Sequence, residues 1–145
     1  MAIPAFVLAT NHHQVVTTEL QTRAEGLAAS VALMIKHEIV QYRKLVEAAN
    51  IAQLSLEEVK SYETMNAHLS QLTERTGAQF IFTERWVDDQ TVAYVLDGTD
   101  PTSKDFSALG EKDGMEPIER SAFLDSVTVA TGLINDPVWG RYITG

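Results

Sequence analysis

The sequence lacks cysteine altogether and is poor in basic residues. Without cysteine there are no disulfide bonds, thiolate metal sites, iron–sulfur clusters or cysteine nucleophiles. Only 11 Lys and Arg side chains stand against 20 Asp and Glu, which gives a formal net charge of −9. Nucleic acids and anionic membrane surfaces need a concentrated positive surface, so neither is an expected partner.

Long apolar runs are also missing. No stretch reaches the roughly 18 apolar residues that cross a bilayer. The first nine residues, MAIPAFVLA, are apolar, but they are too short to span a membrane and lack the basic start of a signal peptide. Two interpretations of residues 1–17 stay open. They are either a frayed chain end or the membrane-proximal end of a membrane helix whose main part lies upstream.

Motifs of catalysis and metal binding are absent too. The sequence has no GxSxG elbow, no GxxxxGK[ST] phosphate loop and no GxGxxG fingerprint. His37-Glu38 is followed by Gln41 where a zinc protease would have a second histidine. We therefore expect no metal, no cofactor and no catalytic residues. A small enzyme that uses clustered carboxylates with raised pKa values remains a minor alternative.

What is present indicates one globular domain. The chain has 145 residues and 45% hydrophobic residues, enough for a single core. The first 50 residues carry four acidic and four basic side chains, so the whole negative balance lies after them. The first third, in which the charges balance, is therefore a different kind of structural element from the acidic residues that follow it.

The longest pattern is a helical stripe over residues 18–49. Apolar or small residues recur there mostly at steps of three and four: Leu20, Ala24, Leu27, Val31, Met34, Tyr42, Leu45 and Ala49. A continuous helix of this length would be roughly 48 Å long, and such helices usually project or pair with a copy of themselves. Small residues such as Gly26 and Ala29 favour a homodimer through this helix. The alternative is a core helix packed along its own domain.

A second helix is predicted over residues 56–76. Ser55 and Glu58 form a capping box, and Gly77 suits a left-handed C-terminal position. The period then changes to that of strands at 79–86 and 91–96, with a turn at residues 88–90, which predicts an antiparallel hairpin. A long loop (97–116), a short helix (118–124) and two further strands (127–131 and 138–144) follow. The predicted fold is α+β, with two helices packed on an antiparallel sheet and a ligand loop within residues 79–145.

Three segments resemble a known family. These are Arg23–Ala32 (RAEGLAASVA), the strand end Tyr94–Gly98 (YVLDG) and the late stretch Asp136–Gly145 (DPVWGRYITG). Together they resemble the extracytoplasmic PAS-like sensor domains, also called Cache or PDC domains, of bacterial diguanylate cyclases and histidine kinases. The resemblance covers most of the chain from about Leu20, and the Trp-Gly segment is its most specific part.

The resemblance implies a sensor of small molecules. Such domains have an antiparallel PAS-like sheet of about five strands. Family members continue beyond the position of Gly145 with a further strand, so two alternatives stay open: the sheet has fewer strands here, or the sequence is a piece of a longer chain. The domain, residues 18–145, would lie on the periplasmic or extracellular side and touch the membrane only through a flanking span. It would have no enzyme activity itself and would report to a cyclase or kinase output domain. A ligand-free dimerising spacer is the alternative function.

The resemblance also implies a ligand site on one face of the sheet, under the loop and the short helix. Its expected residues come from the hairpin, the loop and the last strand: Phe82, Arg85, Tyr94, Asp97, Phe106, Trp139 and Tyr142. Arg85 would clamp a carboxylate-bearing ligand through its planar guanidinium. The alternatives are a solvated Arg85 on the hairpin and a Trp139 that belongs to the core.

Overall fold

The fold is α+β, as the sequence predicts. The computed structural model describes the backbone of residues 5–10, 17–125, 134–136 and 140–144, and the side chains of residues 19–125. The elements in chain order are β1 (Ala5–Thr10), α1 (Thr17–His37), α2 (Ile39–Glu47), α3 (Leu56–Thr76), β2 (Phe80–Asp88), β3 (Thr91–Asp97), β4 (Lys112–Gly114), α4 (Pro117–Asp125), β5 (Ile134–Asp136) and β6 (Gly140–Thr144). None of the helices described here combines the length and hydrophobicity needed to cross a membrane.

The strands form one antiparallel sheet in the order β4-β3-β2-β1-β6-β5. The predicted hairpin is confirmed as β2 and β3. Its turn is held by the Gln90 N–H, which donates to Asp88 Oδ1 at 2.9 Å. The described ranges contribute six strands, against the five or fewer expected from the resemblance.

The additional strand comes from the N-terminal segment. The sequence suggests a stub or a frayed end for residues 1–17, whereas residues 5–10 form β1 between β2 and β6. The run AFVLAT is rich in apolar residues suited to strands, and pairing on both sides satisfies its backbone. Residues 1–4 and 11–16 lie outside the described residues.

The predicted C-terminal strands are only partly described, and the described part of the last one is confirmed as β6 (Gly140–Thr144). The predicted strand 127–131 lies outside the described residues, as does the start of the last strand at 138–139. Asn135 and Asp136, which lie between the two predicted strands, belong to β5, where they pair with Arg141 and Gly140. The short helix predicted at 118–124 is confirmed as α4, one residue longer at each end.

The long N-terminal helix is interrupted. The sequence predicts one helix over 18–49, but Glu38 has a non-helical backbone (φ −115°, ψ 27°) and separates α1 from α2. Its N–H donates to the Ile35 carbonyl at 2.9 Å, a bond to the third residue back. The β-branched Ile39 and Val40 come next, and such residues are weak helix formers. The interruption means that this segment is not a single rod.

Both helices bury one face in the core. The buried residues of α1 and α2 are Leu20, Ala24, Ala28, Val31, Ile35, Tyr42 and Leu45. Several of them share a cluster with Met65 and Leu69 of α3 and with Ile81 of β2. This packing matches the alternative of a helix laid along its own domain, and it leaves the opposite side of α1 exposed.

Helix α3 has the predicted bounds and caps. The Ser55 N–H donates to Glu58 Oε2 at 2.8 Å, and the Glu58 N–H donates to Ser55 Oγ at 3.3 Å. Gly77 ends the helix with φ +69°. These contacts are local in sequence, which is why the capping pattern predicts them well.

Two glycines bring the ends of the long loop against the helices. A Cβ on Gly98 would lie 2.7 Å from the Leu69 carbonyl carbon, and a Cβ on Gly110 would lie 1.8 Å from the Ala49 carbonyl oxygen. Gly110 also has φ +84°, a region that favours glycine. Backbone of the loop therefore touches backbone of the helical layer at both positions.

We expect Gly110→Ala to lower the free energy of unfolding by at least about 3 kcal/mol, because left-handed strain and a steric clash add together. The control is Gly77→Ala, which has a similar φ but open space around it, and it should cost about 1 kcal/mol. Urea denaturation of both variants measures the difference. If Gly110→Ala and Gly77→Ala lost the same unfolding free energy, the close contact between Gly110 and Ala49 would be contradicted.

Candidate functional site

The two faces of the β2–β3 hairpin carry different side chains. Glu84 lies opposite Tyr94 and Trp86 opposite Val92, whereas Arg85 lies opposite Ala93. Because side chains alternate along a strand, Glu84, Trp86 and Tyr94 share one face and Arg85 points to the other. Helix α2 contacts the second face, where the Tyr42 O–H donates to Thr83 Oγ1 at 3.0 Å.

A register shift allows both faces to be buried. Thr83 pairs with Leu96 and Glu84 pairs with Tyr94, so Val95 is an extra residue on β3. Such a bulge redirects side chains, and Val95 and Leu96 accordingly both join the helix-side core. Thr83 Oγ1 also accepts from the Leu96 N–H at 3.2 Å, which satisfies this buried hydroxyl twice.

Helix α4 packs over the first face at the hairpin tip. The rings of Trp86 and Phe123 meet edge to face, with centroids 5.6 Å apart. The Arg120 guanidinium lies 5.7 Å from the centre of the Trp86 ring and forms a 3.8 Å salt bridge to Asp89. These contacts hold α4 against the sheet and so place its first turn near Glu84.

A pair of buried acids lies between α4 and the sheet. Glu84 of β2 is 2% exposed and Glu119 of α4 is 8% exposed, and their side chains hydrogen-bond each other. Glu119 Oε2 also accepts from the Glu116 N–H at 2.7 Å, as in the first turn of a capped helix. Glu84 Oε2 is buried and has no hydrogen-bond partner within the described part of the chain. We call these two residues the acid pair.

Burial changes the protonation of the acid pair. Loss of solvent, followed by repulsion from Glu119 and Asp113, raises the pKa of Glu84 to about 9. Loss of solvent also raises the pKa of Glu119 to about 7, although the bond from the Glu116 N–H opposes the rise. Two carboxyls this close cannot both ionise readily, so the pair retains at least one proton at neutral pH.

Two of the sequence-predicted site residues lie beside the acid pair. The rings of Phe82 and Tyr94 pack edge to face, 5.3 Å between centroids. Tyr94 faces Glu84 across the strands, and its O–H donates to Asp113 Oδ2 at 3.3 Å. Burial and the neighbouring acids Glu84 and Asp113 raise the pKa of the Tyr94 phenol. The site therefore has an aromatic wall next to its carboxyls.

Arg85 is not with these residues. It lies on the opposite face of the hairpin, half-buried, and its Nε is buried without a hydrogen-bond partner among the described residues. The sequence-based pocket assumed that Arg85 and Tyr94 share a face, but the pairing of Arg85 with Ala93 separates them. The register, which the sequence does not specify, is the physical reason.

Asp97, the last residue of β3, and Phe106 of the long loop are separate from the acid pair. The Asp97 carboxylate is buried and accepts from the Thr99 N–H and the Ser107 N–H, each at 2.8 Å. These bonds hold the two arms of the loop together. Phe106 is half-buried in the same loop. The structure thus assigns Asp97 a role in shaping the loop.

The last-strand residues are only partly described. Trp139 lies outside the described residues. The backbone of Tyr142 lies in β6, opposite Thr10 and Ile134, and β1 separates this strand from β2. The contribution of Trp139 and of the Tyr142 side chain to a ligand site remains a prediction.

Sequence reasoning missed both members of the acid pair. One indication was present, because Glu84 and Arg85 interrupt the aromatic and β-branched run of this strand. Glu119 resembles an ordinary capping residue three positions after Glu116. Among the residues described, no group of three His, Asp or Glu side chains is arranged to hold a metal ion.

No protein-family model, curated protein or solved structure matches this chain. The resemblance to Cache domains therefore rests on the residues of the sequence alone.

The acid pair predicts a stability that falls as pH rises. The pKa of Glu84 is about 9 in the folded protein and 4.5 as its ordinary value, so between these values the folded state holds more protons than the unfolded state. One such proton gives a slope of up to about 1.4 kcal/mol per pH unit. We expect Glu84→Gln to flatten the fall in unfolding free energy between pH 5 and pH 8, as measured by urea denaturation.

The matched control for this experiment is Glu63→Gln, which neutralises an exposed acid on α3. That variant should keep the slope of the unchanged protein. A Glu84→Gln profile parallel to the unchanged protein over the whole range would contradict the protonated state of the acid pair.

Proposed function

We propose that this chain is the small-molecule sensor domain of a bacterial transmembrane signalling protein, placed on the periplasmic or extracellular side. Ligand binding would be passed through the N-terminal helices to a cytoplasmic output domain of diguanylate cyclase or histidine kinase type. The observation that carries the proposal is the buried acid pair, in which Glu84 Oε2 has no hydrogen-bond partner from the part of the chain that the structure describes. It lies under α4, on the sheet face where the resemblance implies the ligand.

The energetics of the acid pair favour a binding role. A buried polar atom without a partner costs about 1–3 kcal/mol. On the same hairpin, Thr83 and Asp97 avoid this cost because each is bonded twice. The half-buried Arg85 on the opposite face has an Nε without a partner among the described residues. Perturbed and incompletely bonded groups of this kind concentrate at functional sites. A ligand that satisfied the Glu84 oxygen would recover part of the cost on binding.

The surrounding elements suggest how binding would be transmitted. Thr83 and Glu84 are neighbours in β2 but face opposite layers, and Thr83 is bonded to Tyr42 of α2. A ligand that favours one arrangement of β2 and α4 would shift the population of that arrangement. Because Thr83 directly precedes Glu84, a movement of β2 at the ligand site would also move Thr83. The Tyr42–Thr83 hydrogen bond would pass this movement to α2.

A homodimer through the N-terminal helices is part of this proposal. Leu33 and Val40 are 58% and 62% exposed, and Gly26 and Ala29 are exposed on the same helical segment. This surface would also serve the second candidate function, a dimerising spacer that binds no ligand. The two functions differ only in whether the acid-pair face takes a small molecule.

Thermal unfolding with a panel of small carboxylates, amino acids and amines tests the proposal. A ligand should stabilise the protein by RT ln(1 + [L]/Kd), about 2.7 kcal/mol at a hundredfold excess over Kd. Glu84→Gln should abolish the stabilisation, while Glu63→Gln should retain it. Stabilisation by none of the three classes would leave the spacer function and refute the sensor.

A further inference from the structure

We infer that the ligand head group is a protonated amine, held between the carboxylates of Glu84 and Glu119. The inference rests on the proposed sensor function and specifies the ligand class. It replaces the carboxylate expected from Arg85, which lies on the other face of the hairpin.

The charges around the acid pair favour a cation. The charged groups that act most strongly on Glu84 are Glu119 of α4 and Asp113 of β4, both acidic. The phenols of Tyr94 and Tyr42 also lie close enough to interact with it. The Arg120 guanidinium of α4 is engaged with Asp89 and Trp86 at the hairpin tip. The acid pair therefore presents negative charge that these neighbours do not compensate.

Hydrogen bonding to the ionised carboxyls favours the same class of ligand. An ionised carboxylate only accepts hydrogen bonds, and an alkylammonium only donates them, with three N–H groups. The unsatisfied Glu84 Oε2 and the Glu119 carboxyl would each receive one of these donors. A carboxylate ligand brings further acceptors and would leave the same oxygen unsatisfied.

The aromatic wall suits the rest of such a ligand. The rings of Phe82 and Tyr94 lie beside the acid pair and offer an apolar surface to an alkyl or aryl substituent. An aromatic ring also attracts a nearby ammonium through its quadrupole. An organic amine is therefore favoured over a bare inorganic cation.

Binding exchanges one positive charge for another. Near pH 8, between the pKa values of about 7 and about 9, the acid pair holds one proton. The ammonium takes the place of that proton, which passes to the solvent, so the net charge of the site is unchanged. In the pH range where binding releases one proton, the affinity for the ammonium should therefore rise about tenfold for each increase of one pH unit.

The probe is propylammonium, compared with propionate and propanol as anionic and neutral molecules of similar size. Thermal unfolding and titration calorimetry at pH 6, 7 and 8 would be measured on the unchanged chain. We expect stabilisation by propylammonium alone, an affinity that strengthens about tenfold from pH 7 to pH 8, and release of about one proton per ligand at pH 8.

Two variants locate the binding. Glu84→Gln and Glu119→Gln preserve side-chain shape and an N–H donor in place of the shared proton, and each should weaken propylammonium binding at least tenfold. Glu63→Gln should leave the affinity unchanged. If either acid-pair variant fails to fold, the other variant and the proton release still test the site.

The outcomes separate this inference from the proposed function. Stabilisation by propionate, or equally by all three probes, would overturn the cation assignment and leave a sensor. Propylammonium binding that keeps its strength in both acid-pair variants would also overturn it. If no member of the wider panel stabilises the chain, the sensor proposal fails together with the inference.

Discussion

The β2–β3 hairpin is covered on both faces, and this constraint shapes the whole molecule. Polar side chains on such strands cannot reach water, so each must find a partner inside. Thr83 is satisfied by Tyr42 and by the Leu96 amide, and Asp97 by two loop amides. Glu84 instead meets another acid, and its Oε2 has no hydrogen-bond partner within the described ranges. On the face that α4 covers, the candidate site is where hydrogen bonding among the described residues is incomplete, and on the other face Arg85 Nε also lacks a partner among them.

The bulge at Val95 distributes the hairpin between its two layers. It lets Val95 and Leu96 both enter the core between the sheet and helices α1–α3, and it places Tyr94 directly opposite Glu84. Arg85 lies on the helix side with Thr83 because side chains alternate along β2. Without the bulge Tyr94 would lie opposite Arg85, so this local irregularity brings the Tyr94 ring to the acidic face under α4 and separates it from the one guanidinium of β2.

Features with local causes could be predicted from the sequence, and features that depend on distant pairing could not. The capping bonds of α3 and the turn after Asp88 join residues that are only two or three positions apart. The local sequence pattern was therefore sufficient to predict them. The place of β1 in the sheet depends on β2 and β6, which lie far along the chain. The acid pair likewise joins a strand to a later helix, whereas Phe82 and Tyr94 lie together because a hairpin brings its own strands side by side.

The glycines at the ends of the loop have a mechanical consequence. At Gly98 and Gly110 the loop rests directly on the main chain of the helical layer, with no side chain between them. Side chains normally absorb small displacements by changing rotamer, and here nothing flexible is interposed. A shift of the loop by even a fraction of an ångström must therefore be taken up by Ala49 or by the Leu69–Ser70 peptide, which makes the loop and the helices a stiffly linked pair.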